Sequence, residues 1–100
     1  MINIEIINKY ADYYHNFLNE NQQKIYEYYF IENYSLQEIA SINKTSRNAV
    51  FLIVKRIEKI FLECEKKLKL LGKMEHIQKI VDADTYKKIL DIMEGEDYGI

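Results

Sequence analysis

Apolar residues along the chain recur at spacings of three and four rather than in the alternation of a half-buried strand. Ile6, Tyr10, Tyr13 or Tyr14, Phe17 and Leu18 make one apolar and aromatic stripe, which predicts a helix over about residues 4–18. A second stripe, Ile25, Tyr26, Tyr29 and Phe30, sits in a helix that opens at Asn19, with Gln22 three residues on, and closes at Glu32. Asn33 can then take the left-handed stop conformation. Short polar side chains matter at these ends because the first amides of a helix have no acceptor within it. Ser35-Leu36-Gln37-Glu38 is a Ser-x-x-Glu capping box opening a short third helix that carries Leu36, Ile39, Ala40 and Ile42.

Asn43-Lys44-Thr45 interrupts that pattern, and Thr45 or Ser46 caps a fourth helix predicted to run unbroken over 46–71 and to stop at Gly72. At ~100° per residue, Val50, Ile53, Val54, Ile57, Ile60, Phe61, Cys64, Leu68 and Leu71 fall on one stripe, the core face. Phe51 with Leu62, and Leu52 with Leu70, lie off it, so this helix carries more apolar surface than one contact face hides. Those four residues are the expected partner interface, and a homodimer is the expected assembly. Two shorter helices, about 74–81 and 84–94 with Asp82 or Asp84 as the cap between them, complete the chain. The expected fold is all-α, one domain over 1–100: a helical bundle containing a helix-turn-helix at 35–56 with a long second motif helix, followed by a C-terminal helical extension at 73–100.

Composition narrows the function. With 48% hydrophobic and 30% charged residues and no Pro, the chain reads as one soluble core rather than a disordered tail. Its longest apolar run, Ala49 to Val54, is far short of the ~20 residues needed to cross a bilayer, so no membrane insertion is expected. The acid at Glu5 is foreign to a secretory signal, which makes the cytoplasm the expected location. A lone Cys64 beside His15 and His76 offers no zinc spacing, and no cofactor is expected. Cys64 falls on the core stripe, where a thiol is generally inert. Without a Gly-rich phosphate loop, a nucleophile elbow or a His-Glu pair, the chain does not read as an enzyme. Glu63, Glu65, Asp82 and Asp84 read as solvated faces and caps, and the nine Tyr as core aromatics rather than a stacking platform for bases.

Charge is unevenly distributed behind a net value of −2. Residues 1–43 carry two Lys against six acids, residues 44–79 carry ten Lys or Arg against four acids, and residues 80–100 carry two Lys against six acids. The basic block overlaps the helix-turn-helix. Ala40 supplies the small residue where the two helices cross, Asn43 to Thr45 the polar turn, and Ile39, Val50 and Ile53 or Val54 the internal anchors. The second helix then leads with Ser46, Arg47 and Asn48, groups suited to a DNA groove: Ser to phosphate or base, Arg to guanine, Asn to adenine. Lys44 before them and Lys55, Arg56 and Lys59 after them are the expected backbone contacts, which position a helix without reading sequence. Duplex DNA is therefore the expected partner.

The run from about Asn8 to Gly72, above all residues 19–40 and Ser46-Arg47-Asn48-Ala49-Val50, resembles the bacterial YlxM family. Leu36, Ile39 and Ala40 match its first motif helix, and Ser46, Arg47, Ala49, Val50, Lys55 and Arg56 its second. The resemblance implies a small all-helical protein whose helix-turn-helix is similar to region 4 of RNA polymerase sigma factors. It also implies a regulator or accessory protein associated with signal recognition particle components, beside whose genes the family's genes lie. Asn43 and Thr45 stand where the family pattern has apolar residues, and Ile42 is expected to substitute by a small rotation.

Overall fold

A computed structural model describes residues 3–94, with the side chain of Glu94 excepted; residues 95–100 of the expected C-terminal extension lie outside the described residues. Those residues form six α-helices and no strand: α1 (Ile4–Tyr14), α2 (Glu20–Tyr26), α3 (Leu36–Asn43), α4 (Arg47–Leu68), α5 (Leu70–Ile80) and α6 (Ala83–Glu94). The long α4 is the axis. Helices α1, α2 and α3 all pack on it, while α5 and α6 fold back against α1. Ile7, Tyr14, Ile25, Ile39, Val50, Val54, Ile57 and Phe61 are sealed from solvent in one cluster. Aliphatic side chains of this size each contribute roughly 1.5–3 kcal/mol when fully buried.

The caps are those the short polar residues predict. Asn19 and Gln22 exchange bonds, the Gln22 amide donating to Asn19 Oδ1 at 2.8 Å and the Asn19 amide to Gln22 Oε1 at 2.9 Å. Ser35 and Glu38 do the same at 3.0 and 2.9 Å. Asp82, not Asp84, caps α6, accepting from the Thr85 amide at 2.7 Å. That bond holds the Asp82 carboxyl below its ordinary range.

Three boundaries differ from expectation. The first helix ends as α-helix at Tyr14 rather than Leu18: His15–Phe17 tighten into a 3-10 turn and Leu18 is extended and buried. The Gln23 side-chain amide donates to the Leu18 carbonyl at 3.1 Å, holding the tightened turn against α2. The second helix widens over Glu27–Ile31 into π geometry. The Glu32 amide donates to Glu27 O and the Tyr34 amide to Tyr28 O, both at 2.8 Å, with Asn33 left-handed at φ 62° as expected. Tyr28 and Tyr34 stack across this turn at 5.2 Å.

The largest difference is in the long helix. It stops at Leu68, Lys69 turns left-handed at φ 56°, and α5 starts at Leu70 with Gly72 inside its first turn. Two side chains hold the break, Tyr14 from the far end of the chain and Glu65 from the last turn of α4. The Tyr14 hydroxyl accepts from the Leu70 amide at 3.0 Å and donates to Glu65 Oε1. Glu65 in turn accepts from the Leu71 and Gly72 amides, each at 3.1 Å. All three amides of the α5 first turn that lack a helical partner are thereby satisfied. Glu65, expected on a solvated face or as a cap, caps a helix beyond its own.

Candidate nucleic-acid interface

The interface is built on the α3–α4 junction. Helix α3 ends with Lys44 in the left-handed conformation, φ 54° and ψ 47°, and the Thr45 amide returns to Ala40 O at 3.0 Å. Of the two candidate caps, Ser46 is the one used: its Oγ accepts from the Ala49 amide at 3.1 Å. Ala40, Ile39 and Val50 are buried where the helices meet. Ile42 is exposed and does not take the place expected of it, so Asn43 and Thr45 leave the turn without an apolar anchor.

Lys44, Ser46, Arg47 and Asn48 are all exposed at the leading end of α4. Beyond them the helix has two opposed faces. Val50, Val54, Ile57 and Phe61 point into the core. At ~100° per residue, Asn48, Leu52, Lys55, Arg56 and Lys59 occupy an arc about 100° wide centred roughly opposite that buried stripe. Asn48, Leu52, Arg56 and Lys59 are exposed, and Lys55 is half-buried because its ammonium lies 5.6 Å from the Phe51 ring centroid. Among the described residues the ion pair formed is Lys88 with Asp84, so no cation of this face is held in one; the exposed Glu63 projects onto the same arc one turn beyond Lys59. Acids of the N-terminal segment gather elsewhere: Asp12, Glu27 and Glu32 line one concavity with His15 and Tyr26.

The four residues expected to make a partner interface do not share a face. Leu70 belongs to α5 and packs against the protein's own core, because the break at Lys69 removes it from α4. Phe51 is half-buried beneath Lys55. Leu62 is exposed, but it lies ten residues, roughly 15 Å, along the axis from Leu52. Leu52 itself, 58% exposed, sits in the middle of the polar and basic arc. Helical projection against Asn48 and Arg56, four residues to either side, is the signal that places it there. Cys64 is partly buried against the core, and burial first and Glu63 second push its thiol up from its ordinary value.

Among the described residues no helix is long and apolar enough to cross a membrane. A UPF0122 protein of Clostridium novyi is 41% identical over 68 residues, which cover 68% of this chain and 59% of the relative. One of Shouchella clausii is 41% identical over 69 residues, 69% of this chain and 63% of the relative. Similarity to these two therefore spans less than two thirds of the relatives' length. One of Halalkalibacterium halodurans is 39% identical over 99 aligned residues and covers 91% of each chain. No solved structure matches the chain. Residues 4–96 match the family described as "Putative helix-turn-helix protein, YlxM / p13 like", and the chain belongs to that family, UPF0122.

Proposed function

We propose that the protein binds duplex DNA through the leading half of α4 and acts as a regulator. The observation that carries this reading is the exposed set Lys44, Ser46, Arg47, Asn48, Arg56 and Lys59, held outward by the buried Ala40–Val50 crossing and free of ion pairs among the described residues. Arg47 and Asn48 can bond base edges, while Lys44, Lys55, Arg56 and Lys59 neutralise phosphates. A homodimer suits such a short reading helix, since two-fold pairing doubles the site. Segregation of Asp12, Glu27 and Glu32 into their own concavity supports close approach of a polyanion to α4.

Fluorescence anisotropy with a labelled duplex, at two salt concentrations, tests this. Affinity should fall with salt at a log–log slope of about −0.9 per phosphate neutralised, and Arg47→Ala with Lys55→Ala should weaken binding and reduce that slope by roughly one, the phosphate contact of Lys55. No binding at low salt, or a slope the double variant leaves unchanged, overturns the proposal.

A second reading makes the protein an accessory factor of the signal recognition particle that does not touch DNA. Its support is the exposed apolar pair Leu52 and Leu62 on α4, together with the family resemblance. Pull-down with the particle's protein and RNA distinguishes the two: recovery with no duplex binding favours the second.

A further inference from the structure

Leu52 is the anomaly of the α4 face. It is an apolar side chain, 58% exposed, on an arc that over residues 48–59 is otherwise made of Asn48, Lys55, Arg56 and Lys59. A face that served only phosphate contact gains nothing from a leucine at its centre, since the surrounding cations act through charge alone. A face that met another protein would place its apolar residue among apolar neighbours, with charge at the rim. Here the apolar residue is central and its neighbours one turn away are Asn48 and Arg56. That arrangement matches the major-groove edge of an A·T pair, which offers a donor and an acceptor on adenine beside the C5 methyl of thymine. Asn48 and Leu52 are four residues apart on a helix, so their Cβ atoms lie about 5–6 Å from each other, within reach of one base pair and its neighbour.

Building on the DNA-binding reading above, we infer that Leu52 is a specificity-determining residue that packs on a thymine methyl, beside Asn48 bonding adenine. The ligand class is A·T-containing duplex read from the major groove. Leu52 is exposed and has no part in the core, so its truncation leaves the fold in place.

The experiment compares two probes, an alternating dA·dT duplex and its dA·dU counterpart, which differ by the C5 methyl that thymine carries and uracil lacks. Anisotropy titrations are run on the native chain, Leu52→Ala and Arg56→Ala. The native chain should favour dA·dT by about fourfold, the equivalent of the ~0.8 kcal/mol of one buried CH₂. Leu52→Ala should bind both duplexes alike, near the native affinity for dA·dU. Arg56→Ala should weaken both equally and keep the ratio. A native ratio of one, or a ratio that survives Leu52→Ala, overturns the assignment while leaving DNA binding standing. Absence of binding to either duplex by the native chain overturns the DNA-binding reading itself. Leu52→Ala that binds both duplexes as the native chain does but sediments as a smaller species assigns Leu52 to a protein interface instead.

Discussion

Two junctions flank the long helix, and both pass through a left-handed lysine: Lys44 at φ 54° before α4 and Lys69 at φ 56° after it. Their backbones are nearly alike; their support is not. The first is held by its own neighbours, with the Ser46 hydroxyl on the Ala49 amide and the Thr45 amide on Ala40 O. The second is held across the fold, by Tyr14 of α1 and Glu65 of α4 on the amides of Leu70, Leu71 and Gly72. Local support leaves the side chains around the first turn exposed and available to a ligand. Remote support ties the second to the body of the fold, with Leu70 packed against the core while Leu68 and Lys69 stay exposed. A left-handed non-glycine residue costs roughly 1–2 kcal/mol, so each junction needs an offsetting set of bonds.

The sharpest way to break this contrast is Tyr14→Phe. It removes the acceptor of the Leu70 amide and a donor to Glu65 in one step, and should cost about 1–3 kcal/mol. That corresponds to a melting temperature lower by on the order of 10 °C, read by circular dichroism. Protection from hydrogen exchange should fall in α5 and α6 and hold at the α3–α4 turn. Alkaline titration sharpens the point. Burial, with Glu65 next, pushes the Tyr14 hydroxyl up to about 12 from 10.0. A group whose folded value is raised contributes stability that is complete below its unfolded value and lost as pH rises through the folded one. Denaturant midpoints should therefore decline between about pH 10 and 12 in the native chain, and decline less in Tyr14→Phe, where Tyr26, also raised to about 12, carries the remainder.

Ser46→Ala acts on the other junction and is smaller, about 1 kcal/mol, the usual cost of a lost N-cap. Its signature is regional: urea denaturation should show the loss, and exchange should quicken in the first turn of α4 while α5 is unaffected. If it loosens α5 as much as Tyr14→Phe does, the two junctions are not independent. Lys69→Gly is the smallest change and has the opposite sign. Glycine relieves the left-handed strain at an entropic cost, for a net gain of about 0.5–1 kcal/mol in the urea midpoint.

The same contrast explains what was legible in the sequence. Asn19, Ser35, Ser46 and Asp82 cap where they stand because an N-cap is a bond across three residues, written entirely in local order. The helix-turn-helix is legible for the same reason, with Ala40 and Val50 buried and Arg47 exposed as the spacing implies. Gly72 was the natural place for α4 to stop, yet the break falls at Lys69, because Tyr14 and Glu65 are 51 residues apart and no window contains both. The π geometry of Glu27–Ile31 is not legible either, since no breaker residue marks it. Leu52 is legible as surplus apolar surface and, by helical projection, as the neighbour of Asn48 and Arg56; its 58% exposure is what the structure adds.

The most direct measurement is an amide chemical-shift map of the protein titrated with duplex DNA. Shifts should concentrate in residues 44–59, strongest at Ser46, Arg47, Asn48 and Leu52, with the Glu65–Gly72 amides unmoved at saturation. Saturating duplex that leaves residues 44–59 unperturbed, or that moves the second junction instead, contradicts the account.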